Sequence, residues 1–361
     1  MVLCGTGLVL ADRSFKDDLY RALGNLAEVV HLIHTQYVDK VDLGALGEGL
    51  DGGIVESVDP WAAELNDAEL GPYKELLAGP PPFGIELGLR FGTAAVRGVV
   101  AGSPADAAGF APWEILEKVE GRPTRGMPLW RVRLMLAERE KAGGALSLVV
   151  VDRQVEKRRT VELEARKWQP HSIDHEVRDG VVVISLHALP AGTAAAVASA
   201  AGEGPRVLDL RALSWGVEDE ALAVADLFIG RGQLGNWKGR RAGERNFPAS
   251  SKSLAGPPPV VVIGGDTEGV GEILAAALQA GGCKLVGGPT LGHAPHMMFV
   301  SEGDLHLWIP VAHWMRADGK AIDGNGVEPD IKVAQPAKPE EDPALQRALE
   351  IAREGRHAAA A

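Results

Sequence analysis

Apolar side chains recur at every third or fourth position near the start of the chain, at Leu19, Leu23, Leu26 and Ile33. This spacing matches the 3.6-residue turn of an α-helix, so it predicts one amphipathic helix here. A second helix is predicted over about 43–58, and a shorter third one precedes three consecutive prolines at 80–82. Residues 1–79 are therefore predicted to form an N-terminal helical region that ends at a stiff, extended boundary.

The pattern changes after the prolines. Polar and apolar residues alternate over 83–89, 95–99 and 146–151, as they do in strands with one buried face. A turn with one short helix over 102–109 and a second helix at about 129–138 interrupt the strands. Residues 80–167 are therefore predicted to form a small β-barrel with two helices.

Residues 168–334 alternate between strands and helices. The predicted strands lie at 181–186, 206–210, 260–263, 284–286 and 306–311. The predicted helices lie at 193–200, 218–228 and 271–279. Such alternation predicts an α/β core whose sheet has parallel portions and helices on its faces. A linker rich in Pro, Lys and Glu follows, and residues 335–361 end in a short terminal helix.

Composition excludes several functions. The chain has 361 residues and a net charge of −12, which argues against nucleic acid as a partner. Its two cysteines, Cys4 and Cys283, are too few and too far apart in sequence for a disulfide framework. No apolar run reaches the roughly 18 residues that a membrane span requires. Residues 2–11 are apolar but short, and they are either the remnant of a signal peptide or a weakly packed end.

The stretch with the strongest chemical signal is the turn between the strand at 260–263 and the helix at 271–279. A sharp turn from a buried strand into a helix is where α/β enzymes expose a nucleophile. From Asp266 to Gly271, however, this turn contains neither Ser nor Cys. The turn is built like a nucleophile site but has no usual nucleophile.

Residues 80–167 resemble a PDZ domain. The resemblance rests on Phe83-Gly84-Ile85, on the segment GSPADAAGF at 102–110, and on Val119-Glu120-Gly121. It implies that the amides of Phe83, Gly84 and Ile85 capture the carboxylate of a peptide C-terminus. The peptide itself would add as a strand beside Glu86, Leu87 and the residues up to 89, facing the helix at 129–138. Trp113-Glu114 departs from the family's Gly-Asp pair, and a spacer or lid remains the alternative role.

The order of helical region, PDZ-like region and α/β core resembles the carboxyl-terminal processing serine peptidases of family S41 from about residue 19 to 352. The segments that carry the resemblance are 37–39, 57–60, 208–211, 224–228, 238–240, 272–279 and 326–330. The resemblance implies a ClpP/crotonase-like core and a Ser nucleophile, a Lys base and a Gln that orients the Lys. These fall on Gly269, His293 and Met297. The oxyanion segment falls on 212–216, with Trp215 and Gly216 where small residues are usual.

Other residues offer alternative chemistry. Thr267 with His293 as its base would form a rebuilt hydrolytic pair, and Ser214 is a weaker candidate nucleophile. His293 and His296, together with Asp266 and Glu268, carry metal-ligand chemistry, although their loop lacks the fixed spacing of a helix face. Loop histidines that bind no metal are the favoured interpretation, so neither a metal nor a cofactor is expected.

These observations predict a non-catalytic protein that binds peptide or protein C-termini through the PDZ-like groove. The alternatives are an active S41 peptidase that uses a rebuilt site, and a purely structural scaffold. The resemblance implies an exported, for example periplasmic, location. Oligomeric state is left open.

Overall fold

The computed structural model describes residues 4–110, 113–152, 157–250, 252–316, 318–334 and 342–359. The chain forms two compact units, Met1–Val58 and Asp59–Ala361. The first contains helices α1 (Cys4–Gln36) and α2 (Leu43–Val58), and the bounds of α2 are those that the sequence predicts. Within the described ranges, every helix is too short or too polar to cross a bilayer.

The second unit opens with strand β1 (Ala63–Leu65) and helix α3 (Asp67–Ala78). The side chain of Asn66 accepts hydrogen bonds from two amides of the first turn, and Glu69 accepts one from the amide of Asn66, so a capping box starts α3. The prediction of an entirely helical segment was wrong at β1. Three residues are too few to show alternation, and their partner strand lies more than 200 residues away in the chain.

An antiparallel sheet with two helices follows. A 3-10 turn at Pro82–Gly84 leads into strands joined in the order β2-β3-β4-β6-β7, with β5 paired to β4. The strands are β2 (Ile85–Arg90), β3 (Thr93–Val99), β4 (Glu114–Val119), β5 (Arg122–Pro123), β6 (Ala145–Asp152) and β7 (Lys157–Glu164). The helices are α4 (Pro104–Ala108) and α5 (Leu129–Ala142). One apolar core joins the strands to α5, and it includes Leu116, Val132 and Leu148.

A mostly parallel sheet forms the centre of the second unit. Its order is β17-β14-β13-β10-β9-β8, and only β8 runs antiparallel to its neighbour. The strands are β8 (Ile173–Arg178), β9 (Val181–Leu186), β10 (Arg206–Asp209), β13 (Val260–Ile263), β14 (Lys284–Gly287) and β17 (Ile331–Lys332). The predicted parallel pairings and helices are confirmed, with bounds shifted by one or two residues.

Helices cover both faces of this sheet. Helices α6 (Thr193–Ala201), α7 (Glu218–Asp226) and α8 (Val270–Ala280) pack on one face. Helix α9 (Pro343–Ala359) packs on the other through Leu345 and Leu349. Strands buried on both faces are continuously apolar, which is why β13 reads Val-Val-Val-Ile.

A third sheet is antiparallel, and the long strand β16 (Leu305–Met315) lies at its centre. Strand β16 pairs with β1, β11 (Gln233–Gly239) and β15 (Pro295–Glu302). Strand β12 (Gly243–Pro248) pairs with β11. The sequence predicted only part of β16. The other strands alternate weakly, because their side chains are mostly half-buried or exposed.

Candidate active site

Three loops meet at the carboxyl edge of the parallel sheet, where α/β proteins place their sites. They follow β10, β13 and β14, and they carry residues 210–217, 264–269 and 288–294. Strands β2 and β3 of the antiparallel sheet contribute Glu86 and Arg97 to the same place. A cavity of about 480 Å³ lies between them, and Arg97, Ser214 and Glu268 are among its lining residues.

Gly269 occupies the turn between β13 and α8, with φ 54° and ψ −114°. This is a strained conformation for any residue with a side chain, and strained strand-to-helix turns are those on which α/β hydrolases expose a nucleophile. A Cβ built at residue 269 would lie 3.5 Å from the carbonyl oxygen of Ser214, an ordinary contact. The turn therefore has the backbone shape of a nucleophile site, and there is room for a Cβ at position 269, where the residue is a glycine.

Glu272, fully buried in the first turn of α8, holds this turn in place. Its carboxylate accepts hydrogen bonds from the amides of Gly269 (3.3 Å), Gly292 (2.7 Å) and His293 (2.8 Å), and one from the Thr290 hydroxyl. Burial raises the pKa of the Glu272 carboxyl, and these hydrogen bonds oppose that rise. One side chain thus ties the Gly269 turn to the loop that carries His293.

The ring of His293 lies between two carboxylates. Its Nε2 is 3.2 Å from Asp59 Oδ2, and its Nδ1 is 3.4 Å from Glu268 Oε1. The ring also stacks on Trp61, with 3.9 Å between ring centroids. Both nitrogens of the ring are therefore in contact with carboxylates.

Arg97 joins the antiparallel sheet to the turn that carries Glu268 and Gly269. Its guanidinium pairs with Glu268 and, at 3.3 Å, with Glu86. All three side chains are about nine-tenths buried, and burial lowers the pKa of Arg97 while the charge of Glu86 opposes that change. The hydroxyl of Ser214 donates to Glu86. A continuous polar cluster therefore runs from Ser214 through Arg97 to His293 and Asp59.

The hydroxyl of Thr267 forms its hydrogen bonds with the backbone. Thr267 is completely buried, and its Oγ1 donates to the carbonyl of Leu210 (2.9 Å) and accepts from the amide of Gly264 (3.2 Å). A hydroxyl that fastens the turn in this way cannot reach a substrate carbonyl. The geometry therefore argues against a Thr267–His293 hydrolytic pair, and the bond from Ser214 to Glu86 argues equally against Ser214.

The remaining predicted positions lie around this centre. Met297 is half-buried on β15, opposite Pro310 of β16. The carbonyl of Trp215 accepts a hydrogen bond from the amide of Leu189 (3.0 Å), and Gly216 pairs with Leu189 as an isolated bridge. The backbone of the predicted oxyanion segment is thus partly engaged in pairing.

The four candidate metal ligands of this region do not assemble. Glu268 reaches one nitrogen of His293, whereas His296 lies against the ring of Trp237, with its Nδ1 4.0 Å from Glu218. Asp266 is exposed at the cleft wall. In the described part of the chain, His293 and His296 therefore face different partners.

The predicted peptide loop already contacts a carboxylate. The amide of Phe83, a residue with φ 53°, donates to Oε1 of Glu140 on α5 (2.9 Å), and the indole of Trp168 donates to the same oxygen (3.1 Å). The amide of Gly84 donates to Pro81 (2.8 Å). Side chains 85–87 of the adjoining strand are buried. In this conformation, a side chain from α5 fills the position that sequence reasoning assigned to a peptide terminus.

Sequence reasoning missed the residues that surround the predicted positions. Asp59, Trp61, Arg97 and Glu140 come from three other parts of the chain, and none of them lies in a recognisable catalytic spacing. Glu86 was predicted as a peptide-binding residue, but its contacts with Arg97 and Ser214 were not. The one signal that was available is Glu268, a carboxylate inside a turn that should be apolar. A buried acid at that point required a cation, which Arg97 supplies.

Comparison with known proteins places residues 196–333 within the model described as Peptidase family S41. The chain is 25% identical over 318 residues to a probable CtpA-like serine protease of Staphylococcus haemolyticus, covering 84% of the chain and 63% of that protein. It is 24% identical over 336 residues to a carboxy-terminal-processing protease of Bartonella bacilliformis, covering 89% of the chain and 77% of that protein. The chain thus spans less than two thirds of the first of these relatives.

Among solved structures, the photosystem II D1 C-terminal processing protease superposes with a TM-score of 0.66 at 21% identity. The match covers 89% of this chain and 95% of that chain. At this level of identity the likeness shows the fold, a mixed α/β architecture of the kind found in carboxy-terminal processing proteases.

Proposed function

The chain belongs to peptidase family S41, and from that premise we propose that it is a non-catalytic member that binds the C-termini of peptides or proteins. The observation that carries the proposal is the turn at Gly269, where the family's nucleophile position has a backbone and no side chain. A covalent mechanism begins with a nucleophile beside a base. Here the position that the resemblance assigns to the nucleophile is a glycine, and both ring nitrogens of the residue at the base position are engaged by Asp59 and Glu268.

The binding part of the proposal rests on the antiparallel sheet of residues 80–167, which we interpret as a PDZ domain. Strand β2 is at the end of the strand order, so one of its edges has no strand partner among the described residues. The amide of Phe83 and the indole of Trp168 both donate to a carboxylate oxygen of Glu140. A pocket that binds one carboxylate has the right donors for another, and a peptide C-terminus would enter by displacing Glu140.

Binding is tested with fluorescent peptides that end in a free carboxylate or in an amide. We expect the free carboxylate to bind and the amide not to bind, because only a carboxylate replaces Glu140. Glu140→Gln should strengthen binding, since a neutral amide holds the donors of Phe83 and Trp168 less firmly. Glu138→Gln, on the exposed side of the same helix, is the matched control. Equal binding of both peptide forms, or no effect of Glu140→Gln, would contradict the proposal.

The absence of catalysis is tested separately, with casein and with an unstructured protein that carries an apolar C-terminal tail. We expect no cleavage by the wild-type chain. A second candidate function, peptidase activity, is favoured by the curated relatives, which are named as proteases. Cleavage that Thr267→Ala abolishes would establish that second function and refute the first, whatever the outcome of the peptide titrations.

A further inference from the structure

A second group of side chains lies at the rim of the cleft, away from Gly269. Asp174 of β8 points one carboxylate oxygen at His171 Nε2 (2.9 Å) and the other at His187 Nε2 (3.0 Å). The ligand atoms of the three residues lie within 4.8 Å of one another. Two imidazoles and a carboxylate that converge in this way form the donor set that zinc takes in proteins.

The backbone holds the three residues in place. Strands β8 and β9 pair so that Asp174 faces Ser185, which puts His187 diagonally across from Asp174 on the same face of the sheet. The amide of His187 donates to the carbonyl of Ser172 (2.9 Å), and the amide of His171 donates to the carbonyl of Ala101 (3.1 Å). The three side chains are therefore presented by segments whose positions do not depend on a ligand.

We propose that His171, Asp174 and His187 bind a divalent transition-metal ion of the zinc class. Bond lengths of about 2.0–2.2 Å in tetrahedral geometry put neighbouring ligand atoms roughly 3.3 Å apart. The present distances from Asp174 to the two imidazoles are a few tenths of an ångström shorter, so a small rotation admits the ion. The metal would replace the two contacts that now join the Nε2 atoms to the carboxylate.

The donor set selects the class of metal. Calcium and magnesium prefer oxygen ligands, and this site offers only one carboxylate. Imidazole nitrogens favour zinc, copper and nickel. Three protein ligands leave one position for water or for an incoming carboxylate, and His187 also lines the cleft. The metal would therefore lie where a ligand in the cleft can reach it.

The other histidine–carboxylate contacts of the described residues differ from this one. His293 also has two carboxylates, but they lie on opposite ring nitrogens and cannot share an ion. His313 with Asp323, and His306 with Asp67, are pairs of one histidine and one carboxylate. Among the residues that the structure describes, the cluster at Asp174 is the one in which three ligand atoms all lie within 4.8 Å of one another.

The experiment uses the full chain without an affinity tag, freed of metal by a chelator and then desalted. Zinc is titrated in competition with a chromophoric chelator. We expect one ion per chain, and an affinity at least about tenfold lower in His171→Ala, Asp174→Asn and His187→Ala. His175→Ala, the next residue on β8, is the matched control and should bind as the wild type does. Cobalt bound at the site should show the absorption bands of a tetrahedral ion.

Two results would overturn the site. One is no zinc bound at micromolar concentration, and the other is binding that all three substitutions leave unchanged. Asp174→Asn keeps the size of an exposed side chain, so this variant is decisive even if a histidine variant fails to fold. Zinc should raise the unfolding temperature of the wild type and of His175→Ala but not that of Asp174→Asn.

Discussion

At the scale of single residues, the most consequential group is the guanidinium of Arg97. It lies between the carboxylates of Glu86 and Glu268, and both are buried. A buried ion pair contributes little compared with an apolar pair of similar size, but the loss of one partner leaves an uncompensated charge. Arg97 therefore compensates the charge of the two buried carboxylates beside the Gly269 turn.

Arg97→Met should lower the free energy of unfolding by about 3–5 kcal/mol, because it leaves two buried carboxylates without a cationic partner. Arg158→Met, which breaks an exposed ion pair with Glu117, is the control and should cost less than about 1 kcal/mol. Urea unfolding of the three proteins measures both values. A cost for Arg97→Met as small as that of the control would show that the cluster is hydrated.

Cys283 permits a prediction about pH. Burial raises the pKa of its thiol to about 12, so the folded protein keeps the thiol neutral where an unfolded chain begins to ionise. The contribution of this group to stability is complete below the ordinary thiol pKa and is lost as pH rises towards 12. In a Cys4→Ser background, a disulfide reagent at pH 8 should label Cys283 slowly in the folded protein and fully in urea. Rapid labelling of the folded protein would contradict the burial.

At the scale of elements, the terminal helix α9 completes the parallel sheet. Its apolar side chains cover the face opposite α6, α7 and α8. Asp342, just before the helix, accepts two hydrogen bonds from Arg211 (2.9 and 2.7 Å), which is also held by Asp209. Arg211 lies in the loop after β10 and lines the cleft. The helix is thereby tied to the loop that borders the candidate site.

Asp342→Asn tests this connection. Burial works to raise the pKa of Asp342, but the hydrogen bonds from Arg211 and from the amide of Leu345, together with the charges of Arg211 and Arg178, outweigh it and the pKa is lowered. The stabilisation is therefore present above the ordinary Asp pKa of about 3.9 and is lost as pH falls through and below that value. We expect a cost of about 1 kcal/mol at pH 7, after allowance for partial exposure, that shrinks towards pH 3. Glu350→Gln, on the exposed side of α9, should cost less, and a pH-independent cost of Asp342→Asn would contradict the ion pair.

The sequence predicted some helices and strands and missed others. Elements stabilised by local contacts were predicted, whereas strands that depend on a distant partner strand were missed. Strand β13 and helix α8 were predicted because their apolar pattern is local and strong. Strands β1 and β15 were missed, since their pairing with β16 determines their conformation. The same holds in the site. The resemblance pointed to Gly269 and His293 from the sequence alone. The pairing of Arg97 with Glu268 and the contact of Glu140 with Phe83 are tertiary contacts, which no local sequence pattern predicts.

At the scale of the whole molecule, the chain has the mixed α/β fold of carboxy-terminal processing proteases. The fold matches a carboxy-terminal processing protease, and the loops still meet at one edge of the sheet. Glu272 keeps the Gly269 turn in shape without itself being a nucleophile or a base. The proposed loss of catalysis would therefore be a loss of side chains and not of architecture.

Restoring the family's residues should accordingly need more than two substitutions. In Gly269→Ser/His293→Lys, the new amine would face Asp59 and Glu268, and neighbouring negative charges keep an amine protonated. We expect little cleavage of a tailed substrate by this double variant, and more when Glu268→Gln is added. Labelling of position 269 by a fluorophosphonate measures the nucleophile independently of turnover. Full activity in the double variant would show that these carboxylates do not control the base.

The contact between Glu140 and Phe83 sets a concentration threshold for any partner. Glu140 is attached to the pocket that it occupies, so it competes at the effective concentration of a tethered ligand, about millimolar or higher. A free peptide sees only the fraction of molecules in which the pocket is open, and its apparent affinity falls by that fraction. Under the proposed binding mode, partners that display many C-termini close together would overcome this competition, whereas isolated chain ends would bind more weakly.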